Sequence, residues 1–529
     1  MVITAVDAKI RDIPYGADSR FNPDKGCLPG TRMAFLNFIV NWVNNPDSER
    51  ILVLFGLAGT GKSSIAHEIA RRFYDMGRLS SSCFFVRKER AKTEAYNFFT
   101  NLAHALAGRY PLFKAALGRV IKDDISLRCN ARDYGTLFRR FIQEPLEGVP
   151  IVGPILVVID ALDESGDPTS EDGLHSFLAN NLSALPSNFR VLITSRPEGG
   201  IKPAFLAAKS VVIKDMNDPV LATTTHDDIL AFLRTKLVSH DFKQYSEALA
   251  RRAEGLFQWA AVACGYILER KPLLTRTRKE RIDYLLKSPG VDQGRDPLTE
   301  LYQGVLEEYF SDKNARELFC SVVGQLLAAF EPLSIRSLIT LRRHTNNDDD
   351  DSSSVVEILR YLGSLLSNVT SSDDTLLITP LHTSFRDFLT NEEESGVFHV
   401  DLHLAHGQLA HSCVGLMLGK LEFNICKLES SYLANKDVKD LDMRIAKHLP
   451  PVLSYACRLW NNHLGHLDIE VDLFDKLQTF FKKKFLFWLE ALSLMGDMGL
   501  ASPALSSLRI RLVSGHGVSI TVGLMESEG

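Results

Sequence analysis

The chain has 529 residues, 45% of them hydrophobic and 24% charged, with a formal net charge of -5. That length holds several domains with cores of their own, and the slightly acidic balance supplies no global basic field for nucleic acid. The eight cysteines are scattered without a Cys-x-x-Cys pair, which excludes a zinc or redox-pair signature, and no run of roughly 18 uncharged apolar residues is present to span a membrane.

The N-terminus carries Asp7, Asp12 and a proline and no long apolar core, so it is not a secretory signal. With reduced thiols as the default, a cytoplasmic setting is expected. Residues 1–30 are rich in Gly, Pro and Asp and read as an extended lead-in. Apolar positions 33, 35, 36, 39, 40, 42 and 43 predict a helix over 31–44, and 45–49 reads as a turn. Ile51–Phe55 then reads as a buried strand. The loop Gly56-Leu57-Ala58-Gly59-Thr60-Gly61-Lys62-Ser63 fits G-x-x-x-x-G-K-[ST] at every fixed position. From Ser64 to Phe73 an amphipathic helix follows, with Ile65, Ile69 and Phe73 four residues apart. Strand, glycine loop and helix are the setting that a phosphate-binding loop requires.

The residue types suit the chemistry. Glycines let the backbone curl around an anion with its N–H groups inward, and the loop ends at a helix N-terminus that favours negative charge. Lys62 would reach the β- and γ-phosphates, and Ser63 would ligate Mg²⁺.

Beyond the loop, short apolar runs alternate with helical patterns. Strands are expected at 82–86, 155–160, 190–195 and 210–214, and helices at 93–110, 134–142 and 173–185. That alternation predicts a parallel α/β sheet with helices on both faces. The strand Ile155–Asp160 delivers Asp160 at its C-terminal end, where open α/β sheets bind ligands. Asp160 is placed to hold Mg²⁺, directly or through water. Asp163 and Glu164, on the loop just beyond, would orient or deprotonate an attacking water. The strand Arg190–Ser195 runs into Arg196, which either senses a γ-phosphate or caps the strand end. No guanine-reading [NT]-K-x-D occurs, because Asn435-Lys436-Asp437-Val438 fails at its last position, so adenine is favoured.

After Pro219 the patterns turn helical: 227–238, 246–253, 257–269, 279–287, 298–309, 315–329 and 334–342. An acidic loop at 346–354, a helix at 355–366 and a short strand pair around 369–378 suggest a winged helix. Residues 400–418, 443–464 and 468–495 read as three further helices, and the tail from Ala501 as poorly structured. The basic stretch Lys482–Lys484 between Phe480-Phe481 and Phe485 reads as the lysine face of a helix with a buried aromatic face. His399, His403, His406 and His411 read as helix surface and core, since no cysteine or carboxylate completes a ligand set. Gly515-His516 followed by Val518 faintly resembles the opening of a propeller blade, but no Trp-Asp pair follows. The expected division is a lead-in (1–30), a nucleotide-binding domain (31–220), a helical domain (221–330), a winged helix (331–395), a C-terminal helical domain (396–496) and a tail (497–529).

Together the segment from Cys27 to Arg32, the GLAGTGKSS loop, VVIDALDES with its tandem acids and LITSRPE resemble the NACHT family of STAND-type signal-transducing NTPases. The form is similar to fungal proteins in which a NACHT module precedes propeller repeats. The segment from Glu254 to Ala260 and the segment from Leu381 to Leu389 resemble the stretch after the α/β core and the winged-helix motif of these proteins. The resemblance implies a slow Mg-ATPase used as a switch: closed on ADP, open and self-associating on ATP, with roles in fungal innate immunity or non-self recognition. It also implies that His382 contacts the β-phosphate in the closed state and that Arg196 is the sensor arginine. Full-length members carry an effector domain and sensor repeats, so a truncated product, a fragment and a stand-alone regulator are all open, and effector and sensor partners are not assignable. Two rivals come from other classes. One is a nucleotide-locked scaffold that keeps Lys62 but does not use Glu164. The other is an ATP-driven nucleic-acid enzyme, disfavoured by the acidic balance and the lack of a basic, aromatic-lined groove.

Overall fold

In the computed structural model the described residues are 21–85, 91–123, 133–166, 173–216, 218, 222–238, 242–269, 276–287, 296–344, 351–430, 432–467 and 471–514. They fall into two compact units, Met1–Leu268 with Arg278–Leu298, and Glu269–Thr277 with Thr299–Gly529.

Five parallel strands build the first unit: β1 (Ile51–Phe55), β2 (Leu79–Phe84), β3 (Ile155–Asp160), β4 (Phe189–Ser195) and β5 (Val211–Asp215), in the order β2-β3-β4-β1-β5. Alternate residues of each central strand enter different cores. Ile51, Val53 and Phe55 join Val157, Ile159, Val191 and Ile193 on one face, beneath the helices α1 (Ala91–Arg109) and α2 (Pro111–Asp123). Leu52 and Leu54 join Leu156, Val158 and Leu192 on the other, beneath Met33–Asn44 and α3 (Lys62–Asp75). A strand covered on both sides has no polar face, which is why β1 is apolar throughout and β3 and β4 carry the apolar runs Ile155–Ile159 and Val191–Ile193. The parallel α/β sheet with helices on both faces is therefore present as expected. The helices at 111–123 and 201–207 were not anticipated.

The helices α4 (Ala222–Leu237), α5 (Ser246–Arg252), α6 (Phe257–Leu268) and α7 (Arg278–Lys287) complete the first unit. The second unit is helical. Its central helix α8 (Leu402–Lys420) packs against Lys313–Ala328, α9 (Pro451–Leu464) and α10 (Val471–Lys483).

Four expectations are corrected here. The strand pair around 369–378 does not form; only isolated antiparallel bridges link Ser334 to Leu377 and Leu366 to Pro380. The polar run between them folds into turns, with Thr375 N–H donating to Asp373 Oδ1 at 2.9 Å and the Asn368 amide to the Leu377 carbonyl at 2.7 Å. The helix expected at 443–464 is two, Leu441–His448 and α9, because Pro450-Pro451 removes two donors and drives Leu449 out of helical geometry. The helix expected at 468–495 breaks at Lys484, between α10 and α11 (Phe485–Met495). Ala501–Ser514 is a helix rather than an unstructured tail; Ala501 and Leu508 are buried and Arg511 reaches the Leu467 carbonyl at 3.4 Å. The first 20 residues of the lead-in, most of the acidic stretch at 346–354 and the segment at Gly515-His516 lie outside the described residues.

Candidate functional site

β1 ends at Phe55 and the chain turns at once through Gly56–Gly61 into α3. Gly59 (φ +78°) and Gly61 (φ +91°) take left-handed conformations that side chains disfavour. Thr60 Oγ1 ties the turn to the Leu57 carbonyl at 2.9 Å. Lys62, buried at the start of α3, donates through Nζ to the carbonyls of Gly56 (2.7 Å) and Leu57 (2.9 Å). Burial pulls its ammonium down to about 8, against the attraction of Asp163, Asp160 and Glu164.

The strand order decides what faces this loop. β4 lies between β1 and β3, so its last residues separate the loop from Asp160. Asp160 is buried and accepts hydrogen bonds from the hydroxyls of Thr194 and Ser63. Burial raises its carboxyl, and those two hydroxyls and Lys62 act against that rise. Ala161 then turns left-handed (φ 54°) and opens a tight turn, Leu162–Glu164. Asp163 accepts the Arg196 backbone N–H at 2.9 Å and the Ser195 hydroxyl at 3.3 Å through Oδ1, and its Oδ2 lies 3.4 Å from Arg196 Nε. Glu164 is buried on the same turn.

The loop is also held from the helical side of its own unit. The Gln258 backbone N–H, in the first turn of α6, donates to the Gly59 carbonyl at 3.1 Å. Arg32 donates to the Thr60 carbonyl at 2.5 Å and to Thr225 Oγ1 on α4 at 2.9 Å. Its guanidinium lies 4.6 Å from the centre of the Phe257 ring. Nε of Arg32 is buried without a hydrogen-bond partner. Beside Gly61 and Ser64 a cavity of about 780 Å³ opens, lined also by Cys27, Leu28, Glu68 and Phe257. Burial pushes the Cys27 thiol up to about 12, so it is no nucleophile there.

Of the residues singled out from the sequence, Gly56 to Ser64, Asp160, Asp163, Glu164 and Arg196 gather at the C-terminal ends of β1, β3 and β4. His382 lies in the second unit. It caps the helix Thr383–Thr390, with Nδ1 accepting the Ser384 N–H at 3.1 Å and lying 2.7 Å from Ser384 Oγ. Arg32, Thr194 and Gln258 were not singled out. All three stand in segments quoted for the family resemblance, but what each touches depends on the fold, which brings α4 and α6 alongside the loop for Arg32 and Gln258 and β3 beside β4 for Thr194.

The site fits a magnesium nucleotide. It offers a cradle of positive-φ glycines at a helix N-terminus, a buried cation, and a buried carboxylate facing the Ser63 hydroxyl. Among the described residues no cluster of three or more His, Cys, Asp or Glu side chains could hold a metal without a further ligand, and no helix is long and apolar enough to cross a membrane.

Residues 31–196 match the family model described as Nephrocystin 3, N-terminal. No curated protein matches the chain in sequence. Among solved structures it is similar to a STAND protein with a tetratricopeptide-repeat sensor from Pyrococcus horikoshii, at 14% identity and a TM-score of 0.38, over 95% of this chain and 64% of that one. It is also similar to the Aeropyrum pernix ORC1 protein in complex with DNA, at 15% identity and a TM-score of 0.25, over 64% of this chain and 85% of that one. The chain thus spans about two thirds of the Pyrococcus protein. With the loop and the opposing carboxylate in place, residues 31–196 have the fold of a P-loop NTPase and match the Nephrocystin 3, N-terminal family.

Proposed function

We propose that the protein is an ATP/ADP-dependent switch that hydrolyses Mg-ATP slowly in the cytoplasm and couples the bound nucleotide to self-association. The observation that carries this reading is the meeting of Lys62 and Ser63 at the head of α3 with the buried Asp160 carboxylate across β4. In this reading the N–H groups of Gly59 to Ser64 and Lys62 hold the phosphates. Ser63 and Asp160 hold Mg²⁺, which would neutralise phosphate charge. The cavity beside Gly61 and Ser64 takes the nucleoside end.

Asp163 is engaged by Ser195 and Arg196, so we assign it to bracing Arg196 as the γ-phosphate sensor. Glu164, on the same turn, is assigned to the water. His382 is assigned to the β-phosphate in the ADP state, the segments 221–330, 331–395 and 396–496 to helical, winged-helix and C-terminal helical domains, and the output to fungal innate immunity or non-self recognition.

The test is to purify the full chain, denature it and identify released nucleotide by chromatography, with Lys62→Ala in parallel. ADP from the wild type and none from the variant is the expected result. Equal nucleotide from both overturns the site. Glu164→Gln separates a turning-over switch from a locked scaffold: in the switch it slows phosphate release by at least about a hundredfold, and in the scaffold it changes nothing.

A further inference from the structure

Thr194 is fully buried in β4, on a strand whose other central positions are apolar. It lies one step beyond the Ile159–Ile193 pair, so its neighbour on β3 is Asp160, while its neighbour on β1 is Leu54. A valine would fill that space equally well, with the same branching and no hydroxyl to satisfy. The hydroxyl has two partners, one in each direction. It donates to Asp160 Oδ1, and it accepts the backbone N–H of Ala161 at 3.1 Å. A hydroxyl has one proton to give, and here it is committed to the carboxylate.

Both partners belong to the metal half of the site. Asp160 is also bonded by the Ser63 hydroxyl, so its two hydroxyl neighbours come from the end of β4 and the head of α3. Ala161 is the left-handed residue that redirects the chain into the turn bearing Asp163 and Glu164. Left-handed geometry is disfavoured for an alanine, so it persists only where neighbours hold it.

We propose that Thr194 is a positioning residue for magnesium: its hydroxyl aims the Asp160 carboxylate at Ser63 and pins the turn at Ala161. This rests on the reading of the loop as a Mg-nucleotide site. Thr194 touches neither nucleotide nor metal in this role and acts through Asp160. A merely structural hydroxyl, present only to satisfy the Ala161 N–H, would affect folding stability and leave the response to magnesium unchanged.

The experiment uses the full chain and measures ADP affinity by calorimetry, once with Mg²⁺ and once with EDTA. The ratio of the two affinities isolates the metal contribution. Thr194→Val is expected to shrink that ratio by about tenfold or more, as loss of a metal ligand's outer partner does, while the affinity in EDTA stays within about twofold of wild type. Thr194→Ser is expected to restore the ratio. Asp160→Asn combined with Thr194→Val is expected to match Asp160→Asn alone in this ratio, because the threonine acts on the metal only through that carboxylate. Mn²⁺ binding to the ADP-loaded chain, read by electron paramagnetic resonance, should weaken in parallel. An unchanged ratio in Thr194→Val overturns the proposal while leaving the nucleotide site standing, as does an additive loss in the double variant. A wild-type chain that binds no nucleotide overturns the site and this inference with it. Should Thr194→Val not fold, Thr194→Cys replaces it: its weak S–H donor must shrink the ratio if the proposal holds.

Discussion

Gly59 is not one of the fixed positions of the phosphate-loop pattern, yet the structure leaves it less room than any motif implies. A Cβ there would lie 2.8 Å from Cβ of Gln258 and 3.3 Å from Cδ1 of Leu298, in addition to the strain of φ +78°. The nearer clash is with the root of a side chain, which cannot swing aside. Gly59→Ala is therefore expected to destabilise the nucleotide-free chain by on the order of 1–3 kcal/mol and to weaken ADP binding at least about tenfold. Ala58→Gly should leave both near wild type. Thermal melts and ADP titration of the two variants check this. The loop itself was legible in the sequence because its chemistry is local: glycines, lysine and serine act within eight consecutive residues. Asp160 was legible because a strand end is a local feature too. Arg32, Thr194 and Gln258 were not, since each matters through a partner far along the chain, Thr60 and Thr225 for Arg32, Asp160 for Thr194, and Gly59 for Gln258.

At the scale of elements, the seam between α8 and α9 holds a buried imidazole pair. His406 Nδ1 lies 2.9 Å from His463 Nδ1, and Tyr455 OH lies 2.8 Å from His463 Nε2. His466 stacks on His406 with ring centres 4.2 Å apart. Burial pulls His406 down to about 4, aided by His466, Arg386 and His403. It pulls His463 well below its ordinary value as well, with His406 and His466 adding to the effect. Both rings stay neutral in the folded chain at pH values where the unfolded chain takes up protons. The pair's contribution to stability is therefore full above about pH 6.5 and is lost as pH drops from there toward 4. Denaturant midpoints should hold from pH 7.5 to about 6.5 and fall from there to 5, and His406→Asn, whose amide reaches the position of Nδ1, should flatten that fall. A midpoint constant across that range would place no proton-linked cost at the seam. The histidines on α8 were anticipated only as helix surface and core, because His463 comes from another helix and His466 from the turn that follows it. The double helix at 441–464 was written in Pro450-Pro451. The break at Lys484 carries no such mark: its ammonium reaches the Leu421 carbonyl at 2.7 Å, a tertiary cause.

For the whole molecule, the proposed switch predicts that nucleotide sets assembly. Sedimentation with ADP should give the smallest species, and a non-hydrolysable ATP analogue should shift the chain to larger ones. His382→Ala should raise self-association with ADP present. Identical profiles for ADP, the analogue and the variant would rule out nucleotide-controlled assembly. The boundary between the units also departs from the domain divisions expected from sequence. It falls after Leu298, inside a stretch expected to be one helical domain, because α4 to α7 belong with the sheet. Gln258 and Arg32 grip the phosphate loop from that side. Trp259 follows Gln258 directly and is buried. Trp42 is the other indole of this unit, while Trp460 and Trp488 stand edge to face, 5.9 Å apart, in the other. The protein thus carries a light-emitting residue one peptide bond from the segment that clasps its phosphate loop, so ultraviolet emission reads the loop from within, with no label attached.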